Sequence, residues 1–304
     1  MSLTGKKVVV TGGAGFIGSH LCRHLLKQKA DVLIIDNLFT GKRELLPDGV
    51  MFEMMDICSN EVAKVIQDFK PDIVIHLAAI HYIPYCNSNP EKTFEVNVMG
   101  TRNLLEACKD VECFLFASSA AVYPPVSEPL TEDMYGPIDI YGKTKLVGED
   151  LVRLYRKNNA IIARIFNVYG PNDTNPHVIP EIINQVKRGR RKIELGNLSP
   201  KRDYVNVSDV CEAILALLKH GKSGVYNIGT GKEHSVKDIV NLVSEIIGEE
   251  LQVVQVKERI RKVERMHLLA DINRIRNETF WKPKIELKEG LKGLINHVKQ
   301  KGEL

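Results

Sequence analysis

The sequence predicts a doubly wound, parallel α/β sheet with a smaller C-terminal α/β lobe. Three observations predict it. Glycines recur at G-x-x-G-x-x-G spacing directly after a short apolar strand. Continuous apolar strands then alternate with helical stretches through the first half of the chain, the pattern of a parallel sheet covered on both faces. After Asn167 this rhythm gives way to a loop and shorter elements.

Val8-Val9-Val10 reads as the first strand, and Gly12, Gly15 and Gly18 follow it. Ser19 to Lys29 has helical character, with Phe16, Leu21, Leu25 and Leu26 among the apolar positions. Strand, glycine turn and helix are the context that binding of a dinucleotide pyrophosphate requires. Gly12 allows the tight turn, Gly15 lets backbone approach a phosphate, and Gly18 lets the helix pack on the strand. Free N–H groups at the positive end of the helix then face the phosphates. Asp31 to Asp36 reads as a second buried strand ending in an acid. Asp36 lies about 20 residues past the glycines, where a carboxylate binds the adenosine ribose hydroxyls. It would repel a 2′-phosphate, so the pattern favours NAD over NADP.

Further strands are expected at Val50–Met55, Asp72–Leu77, Cys113–Ala117 and Ala160–Phe166. Helices are expected at Asn60–Phe69, Pro90–Lys109 and Asp139–Lys157. Pro171 to Pro176 reads as a loop. Helices follow near Pro180–Arg188, Ser208–His220, Ser235–Ile247 and Leu287–Lys299, with strands including Gly224–Ile228 and Gln252–Val256. Residues 1–167 are expected to form the dinucleotide-binding domain with the catalytic residues. Residues 168–304 mainly form a substrate-binding lobe, partly interleaved with the first. A ligand between the two lies at the carboxyl ends of the strands.

Composition sets outer bounds. The chain has 304 residues, 44% hydrophobic and 26% charged, with a net charge of +4, values ordinary for a globular protein. The densest basic run, Lys187 to Lys192, lacks the interleaved aromatics of a single-strand nucleic-acid binder and reads as a solvated helix end. No nucleic-acid partner is expected, while a slightly basic surface suits an anionic substrate. The six cysteines form no C-x-x-C pair, which predicts reduced thiols, a cytoplasmic protein and no metal site. No apolar run reaches the roughly 18 residues of a membrane span, so no membrane partner is expected. No signal peptide precedes the first strand.

Tyr141 and Lys145 stand four residues apart on a helix and so share one face. A tyrosine, with a pKa of about 10, is a poor base at neutral pH. A nearby ammonium and an oxidised nicotinamide both favour the phenolate. A lowering of ~3 units corresponds to ~4 kcal/mol of differential stabilisation. The pair follows Ser118-Ser119 by one strand and one loop.

With these residues in order, a resemblance is clear. The glycine motif, Asp36, Asp56-Ile57, His76-Leu77-Ala78-Ala79, Asn97, Ser118-Ser119 and the Tyr141/Lys145 pair resemble the extended short-chain dehydrogenase/reductases. Within them the chain is most similar to the nucleotide-sugar epimerase/dehydratase branch and its UDP-sugar 4-epimerases. The similarity continues through Arg164 to Pro171 and Arg202 to Val205. It implies a Rossmann-type cofactor domain. It implies that Phe16 and Ile17 flank the pyrophosphate turn and that Asn37 stands beside Asp36 at the adenosine. Asp56 and Ile57 would hold the adenine, Leu77 to Ala79 would line the cofactor, and Asn97 would steady the active-site end. Phe166 would lie near the nicotinamide, and Ser118 would contact the cofactor. The resemblance implies Ser119, Tyr141 and Lys145 as catalytic. Asn167, Arg202 and Arg261 would contact the substrate diphosphate, Glu264 the uridine ribose, and His177 and Val178 the sugar-nucleotide pocket. His81 is given no role. Two long helices, 90–109 and 139–157, pair relatives into homodimers.

The branch shares an opening step in which tyrosine takes the sugar O4 proton while C4 gives hydride to NAD. In its 4,6-dehydratases an Asp-Glu pair follows the equivalent of Ser119, and decarboxylases usually carry the glutamate. Here those positions are Ala120 and Ala121. A methyl group neither takes nor gives a proton, so return of hydride to the opposite face of C4 is the expected outcome. Leu268, three residues before Asp271, stands where glucose-specific relatives often carry tyrosine. A smaller residue there leaves space for an N-acetyl group at C2. The expected substrates are therefore UDP-GlcNAc/UDP-GalNAc, UDP-Glc/UDP-Gal or both. A UDP-glucuronate 4-epimerase, a 4-keto-sugar reductase and a non-catalytic NAD-binding scaffold are the alternatives.

Overall fold

The computed structural model describes residues 2–173, 175–260 and 264–300. Among these residues the strands are β1 (Lys7–Thr11), β2 (Asp31–Asp36), β3 (Met51–Met54), β4 (Ile73–His76), β5 (Cys113–Ser119), β6 (Ala160–Ile165), β7 (Asn167–Tyr169), β8 (Lys192–Leu195), β9 (Lys201–Asn206), β10 (Gly224–Ile228), β11 (Glu233–Ser235) and β12 (Gln252–Gln255). The α-helices are α1 (Phe16–Lys27), α2 (Val62–Phe69), α3 (Ile83–Ser88), α4 (Pro90–Phe94), α5 (Thr101–Ala107), α6 (Ile140–Tyr155), α7 (Val178–Lys187), α8 (Val207–His220), α9 (Val236–Ile247), α10 (Asn273–Thr279) and α11 (Leu287–Gln300).

Seven parallel strands make the main sheet, in the order β10-β6-β5-β4-β1-β2-β3. Its central strands are apolar on both faces because both faces are covered. Leu21, Leu25, Val210, Ile214 and Leu217 of α1 and α8 pack on one face with Val8 and Val10. Val62, Ile66, Leu104, Leu105 and Val152 of α2, α5 and α6 pack on the other with Val9 and Val74. This is the doubly wound sheet expected from the alternation. The strand order reverses between β1 and β4, which opens a crevice at their carboxyl ends.

A second layer forms from a three-stranded sheet, β11-β9-β7, and a two-stranded one, β12-β8. Ile179, Ile182, Ile183, Ile239, Val243, Leu291 and Ile295 of α7, α9 and α11 close a separate core around it. Strand β10 returns from this half of the sequence to pair with β6, Gly224 opposite Ile161 through Ile228 opposite Ile165.

The expected long helix at 90–109 is interrupted. Glu95 to Gly100 form a π-helical turn between α4 and α5, and the helix ends at Ala107. Such wide turns free a residue from the regular ladder, and here the freed residue is Asn97, described below. Short elements without a clear period were not foreseen: α3, α10, β7, β8, β9 and β11. The basic run starts on the last residue of α7 and continues through the turn, where Arg191 pairs with Glu249 at 2.5 Å, into β8. Among the described residues no helix is long and apolar enough to cross a membrane.

Candidate active site

The glycine turn is shaped by contact. Gly12 has φ +74, and a Cβ there would lie 2.7 Å from the Ala78 nitrogen. A Cβ on Gly18 would lie 2.2 Å from the Gly12 carbonyl oxygen, so α1 seats directly on the turn. Gly15 is the N-cap of α1, and no side chain caps that first turn. The helix therefore presents its first turn to the crevice without a competing acceptor.

Asp36 is aimed by the same turn. Its Oδ2 accepts from the Ala14 nitrogen at 3.0 Å and its Oδ1 from the Leu38 nitrogen at 2.8 Å. Burial pushes its carboxyl up, and these two backbone bonds offset part of the rise. Asn37 donates to Asp56 Oδ2 at 2.9 Å, and Asp56 Oδ1 accepts from the Cys58 nitrogen at 2.9 Å. Two carboxylates thus face the end of the crevice beside β2 and β3. A glycine cradle, an uncapped helix start and an acid at the end of the second strand fit NAD.

Behind the crevice runs a buried chain of hydrogen bonds. Thr101 Oγ1 donates to the Asn97 carbonyl at 2.7 Å and pairs with His76 Nε2 at 2.9 Å. His76 Nδ1 meets Thr11 Oγ1 at 2.7 Å, and Thr11 Oγ1 accepts from the Ala78 nitrogen at 3.3 Å. These directions place a proton on Nε2. Burial pushes His76 down to about 3, consistent with a neutral ring. Asn97 accepts from the Ile80 nitrogen and donates to the Ile80 carbonyl, each at 2.8 Å, and donates to Thr144 Oγ1 at 3.0 Å. It is buried behind the wall and does not line the crevice, unlike the other described residues named for the cofactor. The π turn brings its amide into register with Ile80.

Ser119 ends β5, and its Oγ accepts from the Ala121 nitrogen at 3.1 Å. Asp139 caps α6 by accepting from the Gly142 nitrogen at 2.8 Å. The first two turns of α6 then carry Tyr141 and Lys145 to Ser119. Lys145 Nζ donates to the Ala117 carbonyl at 2.8 Å, 4.8 Å from the Phe116 ring centre and 5.9 Å from that of Tyr141. Burial lowers Lys145 to about 8, with Glu149 acting in the opposite sense. Lowering of Tyr141 by its lysine was expected from the sequence. Instead burial pushes the phenol up, and a hydrogen bond from Ser119 offsets part of the rise. In a site this enclosed, desolvation of the anion is the largest cause, and the Asp139 carboxylate acts in the same sense. Below, Glu149 is fully buried, takes both arms of Arg164 at 2.8–2.9 Å and accepts from Ser118 at 2.5 Å.

At the other end, Arg202 pairs with Glu264 at 2.5 Å. The segment after Glu264 runs beside β9, held by Lys201 N to Met266 O at 2.8 Å and Asp203 N to Leu268 O at 2.9 Å. Asn167, His177, Val178, Arg202, Glu264 and Leu268 all line the same crevice as Ser119, Tyr141 and Lys145, a cavity of about 1180 Å³. Arg261 lies outside the described residues. His81 also faces the crevice, its ring edge-on to His177 with centres 5.9 Å apart. His177 Nδ1 pairs with the buried Asp173 carboxylate at 3.1 Å. Burial pushes His81 down to about 4, so it faces the cavity as a neutral imidazole. Sequence reasoning missed Arg265, whose buried side chain lines the crevice next to Glu264. Its place beside a named residue was the signal.

Residues 8–229 match the model of the NAD dependent epimerase/dehydratase family. A UDP-glucose 4-epimerase of Lactobacillus helveticus is 35% identical over 308 residues, covering 92% of this chain and 93% of that protein. The UDP-glucose 4-epimerase of Thermus thermophilus, solved in complex with NAD, is 33% identical with a TM-score of 0.90, covering 96% of this chain and 99% of that one. That of Thermotoga maritima, solved with UDP-glucose, is 30% identical with a TM-score of 0.91, covering 97% and 99%.

Proposed function

The chain belongs to the NAD dependent epimerase/dehydratase family, and from that premise we propose that it is an NAD-dependent UDP-sugar 4-epimerase. One observation carries the reading: Ser119, Tyr141 and Lys145 meet in a crevice where the residues after Ser119 are Ala120 and Ala121. NAD, held by the glycine turn, Asp36 and Asp56, supplies when bound a reversible hydride acceptor and a positive ring beside the phenol. Tyr141 Oη takes the O4 proton and later returns it. Ser119 Oγ hydrogen-bonds O4 and relays that proton. Lys145 adds positive charge against the anionic phenolate. Ala120 and Ala121 offer no group that removes water or a carboxylate from the sugar, so the 4-keto sugar waits to be reduced. Arg202, with Arg261, anchors the diphosphate while the sugar turns to present its other face, and Glu264 holds the ribose. His177 and Val178 line the sugar pocket, and Leu268 leaves room at C2 for an N-acetyl group.

Residues 1–167 serve in this reading as the NAD-binding domain and 168–304 mainly as the substrate-binding lobe, with β10 returned to the first sheet. Phe94 and Met99 on the 90–107 run, and Val147, Leu154 and Tyr155 on α6, are exposed apolar side chains on two helices that pack together. They support a homodimer formed through this pair. Six free thiols fit a cytoplasmic setting.

The test is proton NMR of the purified protein with UDP-GlcNAc and no added NAD. A UDP-GalNAc anomeric signal is expected. Turnover of UDP-Glc or UDP-GlcA alone keeps the epimerase and discards the Leu268 argument. Silence with all three overturns the reading.

A further inference from the structure

Arg265 joins three parts of the crevice. Its Nη1 donates to Asp139 Oδ2 at 2.9 Å. Its Nη2 donates to the Ala121 carbonyl at 2.9 Å and to that of Tyr123 at 3.4 Å. Both side chains of the ion pair are under a tenth exposed. The other oxygen of Asp139 caps α6 through the Gly142 nitrogen at 2.8 Å. Gly142 in turn packs on the Ala121 carbonyl so closely that a Cβ would lie 2.2 Å from it. One guanidinium therefore fastens the first turn of the helix bearing Tyr141 and Lys145, the turn after Ser119, and the segment that faces Arg202.

Charge makes this more than a staple. Asp139 is a carboxylate beside Tyr141 and acts to push its phenol up. The other groups facing that phenol are Ser119 from β5, Cys86 from α3 and Lys145 from α6 itself. Arg265 is the cation paired with Asp139. An apolar pair could not take its place, because Asp139 caps α6 and Arg265 satisfies the Ala121 carbonyl, and the same two groups set opposite charges beside the phenol.

We propose that Arg265 is a positioning residue for the epimerase reaction: it holds the substrate-facing 264–270 segment against the catalytic helix and offsets the Asp139 carboxylate beside Tyr141. The proposal rests on the reading of Tyr141 as the proton acceptor at O4.

The test compares Arg265→Gln, Arg265→Lys, Asp139→Asn and the double variant Asp139→Asn/Arg265→Gln as holoenzymes. Asparagine caps a helix as well as aspartate does, so Asp139→Asn removes charge and keeps the cap. Arg265→Gln is expected to lower kcat about tenfold with a smaller rise in KM for the UDP-sugar, because the reacting groups on α6 shift while the 264–270 segment keeps its backbone bonds to β9. Its acid limb of kcat/KM moves about half a unit to higher pH, since an unpaired carboxylate opposes ionisation of the phenol. The double variant returns the limb to its wild-type place while kcat stays low. Arg265→Lys restores the limb only, because an ammonium does not span Asp139 and Ala121 together. Amide hydrogen exchange is expected to quicken at residues 140–145 in Arg265→Gln and to stay unchanged in the β1–β2 core. An unmoved limb in Arg265→Gln, a limb still displaced in the double variant, or a loss carried by KM alone overturns the proposal. Wild-type protein that turns over no UDP-sugar overturns the functional reading instead. In that case unchanged exchange at 140–145 in Arg265→Gln still overturns the clamp.

Discussion

The Lys145 ammonium donates to the Ala117 carbonyl at 2.8 Å and, from the same helix face, stands 5.9 Å from the centre of the Tyr141 ring. One residue of α6 is thereby tied to the strand that ends in Ser119 and set beside the phenol. The charge of this lysine sits where desolvation opposes it.

Replacing Lys145 by methionine separates catalysis from stability. Turnover is expected to fall by about 10²-fold or more, because the phenolate loses its fixed cation. Stability behaves oppositely. The folded value of Lys145 is about 8 against 10.5 unfolded, so the unfolded chain holds more protons between those pH values. Stability of the cofactor-free wild type therefore gains from this group as pH rises through 8 to 10.5, and the burial cost is fully present below 8. The advantage of Lys145→Met over wild type, read from urea unfolding, should shrink by about 3 kcal/mol across that window. A difference that stays level with pH would contradict the burial argument.

Gly18→Ala addresses the cofactor turn. Its new Cβ meets backbone, the Gly12 carbonyl at 2.2 Å, so α1 must move away. Overpacking of this kind costs about 1–3 kcal/mol. The variant should melt at lower temperature and leave gel filtration without the nicotinamide absorbance expected of the wild type.

Leu268→Tyr probes the sugar pocket. Leu268 is buried yet lines the crevice, and in the proposed reading a phenol there would occupy the space beside C2. The variant should lose activity on UDP-GlcNAc selectively, with kcat/KM for UDP-Glc largely kept. Equal loss on both substrates would sink the argument.

Leu154→Glu tests the proposed homodimer. Leu154 is 71% exposed on α6, and a like charge on each side of a two-fold contact is repulsive. Sedimentation should show a monomer for the variant and a dimer for the wild type, with the melting temperature little changed at low protein concentration. A wild-type monomer would remove this interface.

Much of the fold was legible because its signals are local. Apolar runs alternating with helical periods specify a parallel sheet. The positive φ at Gly12 and the seat beneath Gly18 need glycine wherever the turn occurs. Cap residues such as Asp139 and Ser235 act within one turn of chain. The π turn at Glu95–Gly100 was not legible, and the Asn97 side chain within it bonds Ile80, 17 positions away, a contact that local periodicity does not encode. Strand β7 was not legible either, being three residues long and paired with β9.

The sequence by itself determined the sheet, the glycine turn, the acid at Asp36 and the shared face of Tyr141 and Lys145, because each follows from backbone geometry within a few residues. Only the tertiary structure decided that burial opposes ionisation of the Tyr141 phenol, that His81 faces His177, that β10 rejoins the first sheet, and that Arg265 reaches Asp139 across 126 positions. Those outcomes depend on which groups packing removes from water and which distant charges it brings together. Sequence spacing carries no measure of either.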